Sequence, residues 1–311
     1  MNVDSLLKRY ALQARAAGYS PKTITHVKRS VSDFAGFLAG VQDVSTVTAD
    51  DLREYVNDAL SRPRWEGQVQ EREGKLLSPT SVNTYVRGIK QFWAWLHQER
   101  IIDANPLATV KAPKLPKRLP KTLSPEEIAR ISQACGSVRD QAIMLMLLDT
   151  GMRLAELANL QIDDHDENDN RVRVVGKGNK ERMVYMSDWT AAALSTYVCF
   201  QRPSGTNIGP LFQTQGGRPM TAARIQKVLE RVGKKAGLRH RLSPHKLRHT
   251  YATESLKHGA SLEHIRLTLG HTDIKTTEIY LSLSDKDVQQ AHRTFSPVTN
   301  LGLAPKRKKH R

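Results

Sequence analysis

The segment LSPHKLRHTYA, residues 242–252, sets His245, Lys246, Arg248 and His249 at the start of one expected helix. Ser243 is a good N-cap, and Pro244 suits the first helical position because its missing N–H would be unpaired there anyway. The positive end of the helix macrodipole repels cations and attracts anions, so this turn suits an external anion. Phosphate fits best, since guanidinium forks and helix N–H donors both match its oxygens. Three other chain breaks carry groups that taken singly have an ordinary reading, as a surface Arg, a solvated hairpin Lys, a turn-capping His and a core Tyr. Taken together they suit phosphate chemistry. LLDTGMRLAEL interrupts an apolar helix at Thr150-Gly151 and restarts it near Arg153; GKGN presents Lys177 between glycines at a turn; LGHTDIKTTEIYLSL ends a helix at Gly270, offers His271 in the break and puts Tyr280 on the next helix. Cutting a phosphodiester without a metal requires cations on the non-bridging oxygens, a role that suits Arg153 and Arg248. Tyr280 is a nucleophile of the right type, but a phenol of pKa about 10 must lose its proton. Neighbouring cations favour that loss, and His245 or His271 could take the proton. Glu156, one turn beyond Arg153, either orients these groups through hydrogen bonds or is an ordinary helix-surface carboxylate.

Composition restricts the partner. The 311 residues hold 48 Lys+Arg against 31 Asp+Glu, a net charge of +17. Such an excess points to a polyanion, nucleic acid before an anionic membrane surface. Cys135 and Cys199 are the only cysteines, too few for a disulfide scaffold or a Cys-rich zinc site. The N-terminus reads as a charged amphipathic helix, not a signal peptide, and no apolar run reaches membrane-spanning length, so a reducing, intracellular compartment is expected. The acidic stretch DDHDENDN fails as a calcium loop: Asp169 stands where glycine is needed and Val175 where glutamate is needed, so a solvated loop is expected. His245 and His249 have the i,i+4 spacing of the two histidines in a zinc-protease motif, but Lys246 stands where that chemistry requires glutamate. No Walker-type loop and no paired carboxylates at two-metal spacing occur, and neither a metal nor a cofactor is expected.

Helical periodicity dominates the first hundred residues. Val3, Leu6, Leu7 and Tyr10 mark one helix with a stop at Gly18; Ser20-Pro21, Thr48 and Ser78-Pro79 open three more. A compact four-helix domain over residues 1–110 follows. The segment 111–122 is proline-rich and basic, an extended linker suited to lie along a phosphate backbone through Lys114, Lys117 and Arg118. Ser124 with Glu127 forms a capping box that restarts helix. A second domain, 123–290, is helical around one hairpin, RVRVVGKGNKERMVYM, and a basic tail closes the chain over 291–311. Mainly α with a small antiparallel β-sheet is the expected class, an α+β second domain beside the helical first.

The ordered set resembles the tyrosine recombinases, also called the phage integrase family. Its signature is an Arg in a TGxR turn, a hairpin Lys, H-x-x-R at a helix start, a His in an L-G-H turn and a Tyr shortly after. Here these are Thr150-Gly151-Met152-Arg153, Lys177, His245 and Arg248, His271, and Tyr280. The resemblance spans essentially residues 1–290. It implies a site-specific DNA recombinase that cuts and rejoins strands through a 3′-phosphotyrosyl intermediate, with Lys177 as general acid for the leaving 5′ oxygen. It also implies an N-terminal core-binding, SAM-like domain, two domains clamping opposite sides of DNA, and a homo-tetramer on two synapsed double-stranded sites with contacts through the C-terminal segment. Lys22, His26, Arg87 and Lys90 are candidate DNA contacts of the first domain. A bacterial, cytoplasmic, nucleoid-associated protein without membrane association is expected, in a Xer-type or mobile-element role. A type IB topoisomerase-like strand relaxer and a non-catalytic DNA-binding regulator are the alternatives. The compact N-terminal domain speaks against the first, and retention of Tyr280 beside the cations against the second.

Overall fold

The computed structural model describes residues 2–39, 43–63, 76–114, 122–176, 180–203, 208–271, 273 and 276–280. The chain divides into two compact units, Met1–Lys117 and Arg118–Arg311.

The first unit is built from α1 (Val3–Ala16), α2 (Pro21–Phe37), α3 (Ala49–Ser61) and α4 (Pro79–Gln98). Ser20 and Ser78 cap α2 and α4 ahead of a proline in the first turn, and Thr48 caps α3 in a reciprocal box with Asp51. The apolar stripes meet in one core in which Val27, Phe34, Leu52, Tyr55, Phe92 and Trp93 are all but fully buried. Each such side chain contributes roughly 1.5–3 kcal/mol by leaving water. Helices α2 and α4 touch where Gly88 faces Ser30: a Cβ on Gly88 would lie 2.5 Å from Ser30 Oγ.

The second unit runs α5 (Pro125–Ala134), α6 (Val138–Thr150), α7 (Leu154–Asn159), β1 (His165–Asp166), β2 (Arg171–Val175), β3 (Glu181–Tyr185), α8 (Asp188–Phe200), α9 (Ala222–Lys235), α10 (Pro244–Lys257) and α11 (Leu262–Leu269), then a 3-10 turn, Glu278–Tyr280. The three strands form an antiparallel sheet in sequence order. Its register pairs Val172 with Val184 and Val174 with Arg182. Alternation buries Val172, Val174 and Val184 against the core that α6 crosses with Ala142, Ile143, Met146 and Leu147. The class is mainly α with a small antiparallel sheet.

The acidic stretch is more ordered than a solvated loop. His165–Asp166 pairs with β2 as the third strand. Asp166 and Asp164 accept from Arg171 and Arg173, at 2.8 and 2.9 Å. Those outward arginines neutralise a carboxylate row that would otherwise repel itself, which periodicity of apolar residues could not show. No described helix is long and apolar enough to cross a membrane.

Candidate active site

Two left-handed glycines make the breaks that the site needs. Gly151 (φ 59°) ends α6 and Gly270 (φ 64°) ends α11. A Cβ on Gly151 would lie 2.5 Å from the Tyr251 ring, so glycine is required for closeness as well as for φ. The chain leaving Gly151 presents Arg153 as the N-cap residue of α7. Its backbone N–H donates to Glu156 Oε2 (2.8 Å), its Nη1 to Glu156 Oε1 (2.9 Å) and its Nη2 to the Gly270 carbonyl (3.3 Å). Glu156 is 6 % exposed, which excludes the helix-surface reading. Arg182 on β3 holds the same carboxylate with Nη1 and Nη2, at 3.0 and 2.8 Å, and its Nε donates to the Thr268 carbonyl at 2.9 Å. Burial pushes the Glu156 carboxyl up, but the two guanidiniums and the Arg153 N–H hold it below the ordinary glutamate range.

Arg248 on α10 is buried. Nη1 donates to the Gly151 carbonyl (2.6 Å), and Nη2 donates to the Leu269 carbonyl (2.7 Å) and to His271 Nε2 (2.8 Å). Burial first, and then Arg153, push its pKa down to about 10, so it stays charged at neutral pH. A guanidinium can only donate, so Nε2 of His271 is an acceptor and Nδ1 carries the proton it gives to Thr277 Oγ1 at 2.9 Å. Burial and the neighbouring Arg248, Arg153 and Arg182 push His271 down to about 4 and keep it neutral. Two arginines thus hold one buried carboxylate with a third, Arg248, nearby, an excess of positive charge that suits a further anion.

A groove of about 570 Å³ opens over it, lined by Arg153, Arg248, His245, Arg241 and Gln226 among others. His245 is exposed on this side of α10. Tyr280, 6 % exposed, ends the 3-10 turn and packs with Ala252, Ile265 and Leu269. Its hydroxyl lies 2.8 Å from His249 Nδ1. Burial raises the phenol above its ordinary pKa although Arg248 opposes it. Burial therefore outweighs the expected easing of ionisation by cations.

The structure brings Arg153, Glu156, Arg248, His271 and Tyr280 together and sets His245 on the groove. Lys177 lies outside the described residues, but its neighbour Gly176 is close: a Cβ there would be 3.6 Å from Glu156 Oε1. In the first unit, Lys22, Arg87 and Lys114 are exposed. His26 Nε2 is bonded to the Thr84 carbonyl (3.1 Å), and Lys90 Nζ donates to the carbonyls of Ala108 and Val110 at 2.9 and 2.7 Å. Lys90 thus fastens the segment after α4 to that helix. Lys117 and Arg118 lie outside the described residues.

Sequence reading missed Arg182 and His249 as members of the site. Arg182 shares the inward face of β3 with buried Val184, so an arginine at an apolar phase was the available signal. His249 was seen only as one more cation of the turn. Among the described residues no group of three or more His, Cys, Asp and Glu could hold a metal ion.

Residues 121–287 match the Phage integrase family. The tyrosine recombinase XerC of Shewanella amazonensis is 33% identical over 279 residues, covering 85% of this chain and 94% of that protein. The crystal structure of XerA recombinase is 29% identical with a TM-score of 0.52, covering 94% of this chain and 99% of that one. The integrase of transposon Tn1549, solved with a circular intermediate DNA, has a TM-score of 0.71 at 22% identity, over 93% of this chain and 98% of that one, and shares the fold. With the family model spanning more than half the chain and a XerC relative matching nearly its full length, the chain belongs to the phage integrase family, the tyrosine recombinases, and is a site-specific DNA recombinase that transfers DNA strands.

Proposed function

We propose that Tyr280 is the nucleophile, and that Arg153 and Arg248 hold the non-bridging oxygens of the scissile phosphate in the groove that His245 also lines. The carrying observation is convergence: Arg248 reaches the carbonyls of Gly151 and Leu269, Arg153 reaches that of Gly270, and Tyr280 is tied to the same helix as Arg248. The buried Arg248 and the part-exposed Arg153 are both fixed by backbone carbonyls, so little reorganisation accompanies the growth of charge on phosphate. Attack through oxygen forms a phosphotyrosyl ester that keeps the energy of the cleaved bond, and a second 5′ hydroxyl reseals it. Lys177 protonates the leaving oxygen, and the nearness of Gly176 to Glu156 supports its reach.

The substrate is double-stranded DNA carrying a recombination site, and the working assembly is a homo-tetramer on two synapsed sites. Support comes from the net charge of +17, the XerC relatives from bacteria and the DNA-bound Tn1549 integrase. The exposed Lys22, Arg87 and Lys114 add DNA contacts in the first unit, within a bacterial nucleoid. The test is Tyr280→Phe: DNA binding survives while covalent protein–DNA adducts disappear, as read on denaturing gels. Adducts that persist remove Tyr280 as the nucleophile. Sequencing the DNA trapped on the wild-type chain identifies the site.

A further inference from the structure

Among the described contacts, His249 is the histidine of the site that is hydrogen-bonded to the Tyr280 hydroxyl and packed against its ring. Its Nδ1 lies 2.8 Å from the Tyr280 hydroxyl, the reach needed for direct proton transfer. The two rings sit side by side, centroids 5.6 Å apart, and Tyr280 is otherwise enclosed by Ala252, Ile265 and Leu269. The lone pair of His271 is already taken by Arg248 and its N–H by Thr277. His245 is exposed on the groove side of α10.

We infer that His249 is a catalytic residue that takes the hydroxyl proton of Tyr280 as the phenol oxygen attacks phosphorus. This rests on the reading of Tyr280 as the nucleophile. The Oη–H bond breaks and its proton moves to Nδ1, which becomes imidazolium. The Oη–P bond forms, the P–O5′ bond breaks, and the leaving oxygen receives a proton from Lys177. In resealing, the incoming 5′ hydroxyl returns its proton to Lys177 as it attacks, and the departing Tyr280 oxygen regains the proton from His249. The titratable and charged groups that face His249 are His245 and Arg248 on its own helix and His271 and Tyr280 from beyond α11. Burial, His245 and Arg248 hold its pKa below the ordinary histidine value, so it is a neutral acceptor at pH 7. An imidazolium beside Arg248 is disfavoured, and the negative charge of a bound phosphate makes it tolerable. Activation of the nucleophile is thereby coupled to DNA occupancy.

The test uses the full chain and a duplex selected from a random-sequence library by covalent capture on the wild-type protein. His249→Asn keeps an acceptor oxygen near Nδ1 but removes basicity. The expected result is DNA binding within about twofold of wild type and single-turnover adduct formation slower by about 100- to 10,000-fold. The wild-type rate rises with pH through the imidazole titration and then levels, and this feature is absent from the variant. His249→Gln is measured in parallel, so that a folding failure of one variant leaves the other to decide. A variant that binds DNA and forms adducts at the wild-type rate and pH profile, or faster, overturns the inference. Tyr280→Phe separates the two claims: adducts lost there but formed at the wild-type rate in His249→Asn defeat only the role of His249, whereas adducts kept in Tyr280→Phe defeat the nucleophile itself.

Discussion

Replacing Arg182 by alanine strands a buried carboxylate with one partner in place of two. The substitution removes two charge-assisted hydrogen bonds to Glu156, at 3.0 and 2.8 Å, and one to the Thr268 carbonyl at 2.9 Å. The Glu156 side chain is 4 % exposed and that of Arg182 14 %, so solvent cannot replace the lost partner. Removing one member of a buried pair costs about 3–5 kcal/mol. Arg153 still holds Glu156 at 2.9 Å, which sets the expectation at the lower end, about 3 kcal/mol. For a domain of 150–250 residues that is a fall in Tm of about 6–12 °C. Differential scanning calorimetry at pH 7 reads it in the transition of the second unit. A double change, Glu156→Leu with Arg182→Met, removes both charges and refills the volume, and it recovers at least half of the loss. Adduct formation does not recover, because Arg153 has then lost the carboxylate that binds both its guanidinium and its N–H. A fall below about 2 °C for Arg182→Ala would place the pair among surface ion pairs and refute the reasoning.

Acid titration probes His271. Its folded pKa of about 4 lies below the unfolded value of about 6.5. As pH falls from 6.5 to 4 the unfolded chain takes up a proton that the folded chain refuses, so stability declines across that window. His271→Gln flattens this part of a Tm-against-pH curve; equal slopes in both proteins contradict the neutral imidazole. Gly151→Ala places a side chain at φ 59° and 2.5 Å from the Tyr251 ring, and its chemical-denaturation midpoint drops by the equivalent of about 1–3 kcal/mol or more; an unchanged midpoint contradicts the strained turn. If phosphates are the partners of the basic surface, log affinity for duplex DNA falls with log salt by about 0.9 per phosphate neutralised. A flat dependence opposes the DNA reading, and loss of cleavage in EDTA would demand a metal.

Legibility followed the range of the interaction. Caps and periodicity are local, so the openings at Ser20, Thr48, Ser78, Ser124 and Ser243 were all readable, as were the stripes that became the core of the first unit. The groups Arg153, Arg248, His271 and Tyr280 stood out because each sits at or just after a break in helical pattern, in the order of a family signature. Glu156 was ambiguous because its i,i+3 spacing from Arg153 is equally that of a solvated helix pair; its burial comes from Arg182, 26 residues away. The Asp164 and Asp166 pairs were hidden for the same reason, since they depend on β1 joining β2.

The ordered set of groups along the chain, through its resemblance to the tyrosine recombinases, gave the class of reaction, and guanidiniums at helix starts with a phenol are chemically suited to it. Which nitrogen of His271 carries its proton, and which histidine touches the Tyr280 oxygen, was decided only when α10, α11 and the last turn came together. Proton affinities depend on burial and on charges a few ångströms away, and those distances exist only in the folded chain.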